Sequence, residues 1–165
     1  MIIYTFVPII ITTENAMKKL FSTLLALVAL FIAAPSSHAT DWIDMLSSSG
    51  ETIAVNPDIM TTDNGTSYLV WVRNSYDLPE ARANYTNERG YDKTVAYKLT
   101  LYKFTDDWNK VNIVQVSVYG EDNDIIDQYT NPDMASTETV IPAGSPIETI
   151  AENAKVIYEI KTHPE

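Results

Sequence analysis

The sequence predicts an α+β fold in which an antiparallel β-sheet meander carries a C-terminal helix packed on one face. Apolar and polar residues alternate with a period of two through the middle of the chain, as is typical of half-buried strands. Turn-forming residues separate these runs at short intervals. The C-terminal segment then switches to the three- and four-residue spacing of an amphipathic helix.

The N-terminal segment predicts a secretory signal peptide. Met17 and two lysines precede an apolar run over residues 20–34, and small residues continue to Ala39. The run is shorter than the roughly 20 apolar residues of a spanning helix, which favours cleavage after Ala39 over anchoring. We therefore expect Met17 to be the true start, residues 1–39 to be an upstream extension plus signal peptide, and residues 40–165 to be one exported domain. Because the chain contains no cysteine, we expect no lipid anchor.

The first strands of the exported part are short. Residues 42–46 and residues 51–55 are apolar-rich runs that each end at a turn signal, so both are expected to be brief strands. Asp63-Asn64-Gly65 then supplies residues that tolerate a positive φ, which predicts a tight hairpin turn. A strongly alternating strand over residues 66–73 follows this turn.

The middle of the chain predicts a polar loop followed by long strands. Residues 74–93 are polar and have no sustained period, so we expect a functional loop or a local insertion there. Residues 94–104 and 111–119 alternate over their whole length, and the short polar connection between them predicts an antiparallel pair. A turn over residues 120–124 leads into a short strand over residues 125–129.

The last element is predicted to be a helix that begins at Pro146. Ser145 supplies a capping hydroxyl, proline occupies the first helical position, and Glu148 stands three residues after the cap. An apolar stripe on this helix must be buried against the sheet. Its members are Ile147, Ile150, Ala151, Ala154 and Ile157.

Charge and composition exclude several classes of partner. The formal net charge is −11, and removal of residues 1–39, which hold two lysines and one glutamate, makes it −12. Such a surface repels phosphate backbones and anionic lipids, which bind through lysine and arginine. We therefore expect no nucleic-acid partner and no membrane insertion after signal cleavage.

The sequence also lacks several residues on which enzyme catalysis commonly depends. With no cysteine, and with His163 as the one histidine of residues 40–165, thiol nucleophiles, histidine-based triads and His or Cys metal sites are incomplete. A carboxylate pair, as in glycoside hydrolysis, is the remaining route to acid and base catalysis. We expect no enzymatic activity, no catalytic residue, no metal and no cofactor.

One acidic turn is a candidate cation site. Oxygen ligands suited to calcium crowd into this turn, but the spacing lacks the glycine and the distal glutamate of the helix-loop-helix calcium pattern. An ordinary acidic hairpin turn is therefore the favoured interpretation. The residues concerned are Glu121, Asp122, Asn123, Asp124 and Asp127.

The predicted loop holds the preferred contact residues. Tyrosine and arginine are the residue types that carry much of the binding energy at protein interfaces. The loop contains Tyr76, Arg82, Tyr85, Arg89 and Tyr91 in an otherwise acidic protein. Alternatively, these tyrosines pack back on the sheet edge and the arginines pair with local carboxylates.

A second candidate surface is one face of the strand over residues 66–73. Trp71 points away from the face that Tyr68, Val70 and Val72 fill. We expect the face of Trp71 to be shared by Leu69, Tyr102, Phe104 and Ile113. Such an apolar face is either a recognition surface or, as we favour, a second buried layer or a dimer seam.

Several segments together resemble the surface-adhesin protein E family over nearly the whole of residues 40–165. They are Tyr68-Leu69-Val70-Trp71-Val72, Tyr91-Asp92-Lys93-Thr94-Val95-Ala96-Tyr97, the hairpin from Tyr102-Lys103-Phe104 to Trp108-Asn109-Lys110, residues 115–126, and Ile141-Pro142-Ala143-Gly144-Ser145-Pro146. The resemblance implies a small exported domain of Gram-negative bacteria whose named member binds host extracellular-matrix and plasma proteins at the cell surface.

Two departures from the family qualify this expectation. Family members commonly place cysteines near the hairpin and in the last helix, and the named adhesin is lipid-anchored, whereas this chain has no cysteine. We expect an exported non-enzymatic binding domain, periplasmic or at the cell surface, that contacts a host or envelope protein through Tyr76, Arg82, Tyr85, Arg89, Tyr91 and Trp71. The alternative is a periplasmic structural or small-ligand-binding accessory domain, which a closed apolar pocket would favour.

Overall fold

The computed structural model describes residues 41–62, 65–131 and 138–163, all within the compact unit Asp41–Glu165. The predicted signal peptide lies outside the described residues, as do Asp63 and Asn64 of the predicted hairpin turn. The architecture is the predicted α+β fold, an antiparallel sheet with a C-terminal helix.

Eight strands and two helices lie within the described residues. The strands are β1 (Ile43–Ser48), β2 (Glu51–Val55), β3 (Met60–Thr62), β4 (Ser67–Tyr76), β5 (Val95–Thr105), β6 (Lys110–Gly120), β7 (Ile125–Thr130) and β8 (Thr139–Val140), and the helices are α1 (Pro79–Arg89) and α2 (Pro146–Thr162). The sheet order is β1-β2-β4-β5-β6-β7, with β3 paired to β4 and β8 paired to β6.

The predicted strands are confirmed, and the long central pair is antiparallel. Thr62 of β3 faces Ser67 of β4 across the predicted hairpin turn, although the sequence did not identify β3 as a strand. The start of α2 is also confirmed. Ser145 Oγ accepts the Glu148 N–H at 3.4 Å, and the Glu148 carboxylate accepts the Gly144 N–H at 2.6 Å, one residue before the donor of a standard capping box.

The prediction of a loop over residues 74–93 is wrong. Strand β4 continues to Tyr76, and α1 begins at Pro79, whose fixed φ suits the first turn of a helix. The helix ends at Gly90, which has a left-handed φ of 70° and donates its N–H to Asn87 O at 3.2 Å. Most α1 side chains are polar, so no apolar period marks it in the sequence.

The expectation that Tyr102, Phe104 and Ile113 share the face of Trp71 is also wrong. The register pairs Tyr68 with Phe104 and Val70 with Tyr102, and Tyr102 in turn with Ile113. Because directly paired residues point to the same side of a sheet, these three side chains lie on the face of Tyr68 and Val70. Trp71 pairs with Leu101 on the opposite face.

Both helices pack on the face of Tyr68 and Val70, at separate places. Helix α2 buries its predicted stripe, through Ile150, Ala151 and Ala154, in the larger core cluster. The strand and turn members of that cluster are Val55, Val70, Val72, Phe104 and Trp108. Helix α1 contributes Ala81 and Tyr85 to a second cluster around Tyr76, Val95 and Val118.

Candidate functional site

An open groove lies on the helix-bearing face of the sheet, over β5, β6 and β7. One end, here called the charged pocket, has a volume of about 300 Å³ and is lined among others by Tyr85, Arg89, Tyr91, Lys98 and Asp127. The other end, the apolar pocket, has a volume of about 520 Å³ and reaches Ile147 of α2. The two pockets share Tyr102, Ile113, Val116 and Tyr129.

Helix α1 is hydrogen-bonded to the sheet through Thr86, the residue after Tyr85 of the groove wall. The hydroxyl of Thr86, which is buried, donates to Arg82 O at 2.7 Å and accepts the Val95 N–H at 3.0 Å. The ring of Tyr85, the residue before Thr86, stacks on Tyr76 with 4.5 Å between centroids. These contacts place Tyr85 and Arg89, one helical turn apart, at the edge of the charged pocket.

Replacement of Thr86 by valine is expected to lower the free energy of unfolding by about 1–3 kcal/mol, because it leaves the buried Val95 N–H without an acceptor. Equilibrium urea unfolding measures this. Thr162→Val is the matched control, since the exposed Thr162 donates to Tyr158 O at 2.8 Å and has the same helical geometry. We expect its effect to stay within about 0.5 kcal/mol. If both variants lose the same free energy of unfolding, the hydrogen bond between Thr86 and the Val95 N–H does not contribute to stability.

Two cations lie near the ring of Tyr85. Arg89 Cζ and Lys98 Nζ each lie 5.6 Å from its centroid. Burial lowers the pKa of Lys98, the charge of Arg89 lowers it further, and Glu51 opposes both. Neither cation forms an ion pair with a carboxylate of the described residues. The pocket therefore holds a half-buried ammonium group close to a second positive charge.

The opposite wall of the charged pocket holds Tyr91 and Asp127. The Tyr91 hydroxyl donates to Asp127 Oδ2 at 2.9 Å, and burial together with this bond raises the pKa of Tyr91 to about 12. The hydroxyl therefore stays protonated at neutral pH and continues to donate its hydrogen bond to Asp127. Next to this wall Tyr129 is 54% exposed, so an aromatic surface is open to a partner.

The structure brings together three of the six predicted contact residues: Tyr85, Arg89 and Tyr91 all line the groove. Tyr76 is buried beneath Tyr85, and burial raises its pKa. Arg82 donates to Tyr76 O at 2.7 Å and pairs with Glu121 at 2.6 Å.

Trp71, the sixth predicted residue, lies on the opposite face of the sheet and is buried, so it does not belong to this groove. Sequence reasoning did not single out the groove residues Lys98 and Tyr129, and it assigned Tyr102 to the face of Trp71 and Asp127 to the acidic turn. The alternation of β5 was a usable signal, because Lys98, Thr100 and Tyr102 share one face of a long strand.

The acidic turn is paired with cations in the structure. Asp124 pairs with Lys93 at 2.6 Å, which lowers the pKa of that carboxyl group, and Glu121 pairs with Arg82. Across residues 41–62, 65–131 and 138–163, no group of three or more His, Cys, Asp or Glu side chains is arranged to hold a metal ion.

Comparison of the sequence with protein-family models gives no match, and comparison with the curated proteins gives none either. Neither α1 nor α2, the helices of the described part, has the length and apolar character needed to cross a membrane.

Proposed function

We propose that this chain is an exported, non-enzymatic binding domain resembling the surface-adhesin protein E family, and that it contacts a host or envelope protein through the groove. The proposal places it in the periplasm or at the cell surface without a lipid anchor. Export rests on the signal peptide predicted from the sequence, and the binding role rests on the composition of the groove.

The observation that carries the binding role is the concentration of tyrosine and arginine in one open groove. Tyr85, Tyr91, Tyr102 and Tyr129 line it together with Arg89. Tyrosine offers a large contact area at a low cost in side-chain entropy, and arginine adds directional charge, so these residue types dominate interface energies. The groove also lies on the rigid sheet, which limits the ordering cost of binding.

The make-up of the groove also supports a non-enzymatic role. Among the described lining residues Asp127 is the one carboxylate, and it already accepts the Tyr91 hydroxyl. Acid and base catalysis by carboxylates needs two such groups flanking the reacting bond. The described lining therefore lacks the carboxylate pair that glycoside hydrolysis requires.

The second candidate is a periplasmic accessory domain that binds a small ligand. The observation in its favour is the apolar pocket, which is open rather than closed but whose volume of about 520 Å³ falls within the range of small-molecule sites. Its apolar lining includes Val111, Ile113, Val140 and Ile147. Protease treatment of intact cells separates the candidates: cleavage of this protein, with a periplasmic marker spared, favours a host partner, and resistance favours an envelope partner or ligand.

Tyr129→Ala is expected to weaken binding to the partner protein by at least about fivefold, because it removes an exposed ring from the centre of the groove. Binding of the purified protein to immobilised extracellular-matrix proteins, plasma proteins and solubilised envelope proteins measures this.

The matched control for this prediction is Ile125→Ala. Ile125 lies on the same strand, is also 54% exposed and does not line the groove. It should leave binding unchanged within about twofold. If Tyr129→Ala and Ile125→Ala behave alike toward every partner that binds, the groove is not the contact surface and the proposed function fails at this site.

A further inference from the structure

The charged pocket carries positive charge that the surrounding residues do not neutralise. Three other cations of the described chain form ion pairs at 2.6–2.7 Å, namely Arg82 with Glu121, Lys93 with Asp124 and Lys161 with Asp58. Arg89 and Lys98 form none with a described carboxylate, although the chain has a net charge of −11. Each lies instead 5.6 Å from the centroid of the Tyr85 ring.

The nearby carboxylates are engaged elsewhere. Asp127 accepts the Tyr91 hydroxyl at 2.9 Å, and Glu51 accepts Asn74 Nδ2 at 2.8 Å. Glu51 attracts Lys98, yet it lies beyond the 4.0 Å of an ion pair. Burial of the Lys98 ammonium group is unfavourable and the charge of Arg89 adds to the cost, while the attraction of Glu51 offsets them only in part, because the pKa of Lys98 stays lowered. An anion entering the pocket would relieve both.

The amount of charge indicates which anion fits. Arg89 and Lys98 supply two positive charges and Asp127 supplies one negative charge, so the lining is close to singly positive. A carboxylate has one negative charge and accepts hydrogen bonds from both guanidinium and ammonium groups. Beyond the cations the groove continues over Tyr102, Ile113 and Tyr129, which suit an apolar or aromatic neighbour of that carboxylate.

We propose that the charged pocket binds an acidic side chain of the partner protein, with its carboxylate held by Arg89 and Lys98 and an adjacent apolar residue lying over Tyr102 and Tyr129. The proposal rests on the proposed function and names what the groove recognises. A side chain is the chosen source because a partner protein has many acidic side chains and a single chain end.

The test is an NMR titration of the uniformly ¹⁵N-labelled protein with the capped peptide acetyl-Gly-Phe-Glu-Phe-Gly-amide. The peptide with glutamine in place of glutamate is the first comparison. We expect the glutamate peptide to shift amide signals of residues lining the groove and the glutamine peptide to bind ~10-fold more weakly or worse, since hydrogen bonds to a charged group are lost. A third peptide has glutamine in place of glutamate and a free C-terminal carboxylate instead of the amide. It should bind as weakly as the glutamine peptide.

Lys98→Met and Lys93→Met separate the pocket from the overall charge. Both variants change the net charge equally, but Lys93 pairs with Asp124 outside the groove. Methionine keeps most of the apolar stem of Lys98, and dispersed spectra of both variants verify the fold. Lys98→Met should lower the affinity of the protein for the glutamate peptide ~10-fold or more, and Lys93→Met should change this affinity less than about twofold.

Three peptide results would overturn the carboxylate proposal: no groove shifts with the glutamate peptide at millimolar concentration, equal binding of the glutamate and glutamine peptides, or tighter binding of the peptide with the free chain end than of the glutamate peptide. Equal effects of Lys98→Met and Lys93→Met would do the same. The proposed function is judged separately, by the comparison of Tyr129→Ala with Ile125→Ala on whole partner proteins. If partner binding depends on Tyr129 but the groove shows no preference for the glutamate peptide, the proposed acidic ligand is refuted and the proposed binding role is not.

Discussion

Replacement of Trp108 by alanine is expected to lower the free energy of unfolding by about 3–5 kcal/mol. Trp108 lies in the turn between β5 and β6, yet it is only 8% exposed. Its indole stacks on Tyr68 with 4.4 Å between ring centroids and on Phe104 at 5.4 Å. Alanine would leave a cavity in the cluster against which α2 packs.

The backbone of Trp108 sharpens this prediction. Its φ is 59°, a left-handed conformation that is unfavourable for a bulky residue and free of strain for glycine. Trp108→Gly should therefore be about 1 kcal/mol less destabilised than Trp108→Ala, although glycine removes even more side chain. Urea unfolding followed by circular dichroism compares the two variants directly. A glycine variant that is no more stable than the alanine variant would show that the backbone strain is not relieved.

The Phe104→Ala variant is expected to lose a similar amount of stability, about 3–5 kcal/mol. Phe104 has no exposed surface and lies in the same cluster as Ile150, Ala151 and Ala154 of α2. Truncation removes contacts to the helix and to Trp108 together, and the surrounding strands cannot collapse fully into the space.

The control for Phe104 is Ile113→Ala, a change on the same face of the sheet at a side chain that is 41% exposed. We expect Ile113→Ala to lower the free energy of unfolding by less than about 1 kcal/mol, since folding removes less of the Ile113 side chain than of the Phe104 side chain from water. Chemical unfolding of both variants at equal protein concentration measures the difference. Comparable losses in the two variants would contradict the assignment of Phe104 to the core.

The strands were predictable because their determinants are local. In β5 and β6 the side chains alternate along the chain itself. The start of α2 was predictable for the same reason, as the cap and the proline lie within four residues of each other. These elements need no knowledge of their partners.

Helix α1 was missed because its stability comes largely from tertiary contacts. Its apolar contacts with the sheet come from Ala81 and Tyr85, too few to create a visible period. The bond from the Val95 N–H to Thr86 and the bond from Arg82 to Tyr76 O join residues that no local pattern relates. Proline at the first turn and Gly90 at the end were the available signals.

The groove was predicted only in part, for a related reason. Tyr85, Arg89 and Tyr91 stood out by residue type alone. Lys98 and Tyr129 became groove residues only through the register of β5, β6 and β7, and the same register moved Tyr102 and Phe104 away from Trp71. A one-residue shift in register would move the side chains of a strand to the opposite face of the sheet. The sequences of the strands do not by themselves specify the register.

The sequence by itself determined the class of the fold, the strands of the meander, the start of α2 and the preferred residue types for contact, because each follows from spacing or composition along the chain. Only the tertiary structure decided that 79–89 is a helix, which side chains share a face, and that Arg89 and Lys98, which form no ion pair with a described carboxylate, both lie near the Tyr85 ring. These features depend on strand register and on packing between segments distant in sequence, where the free energy of one residue is set by neighbours that its local sequence does not specify.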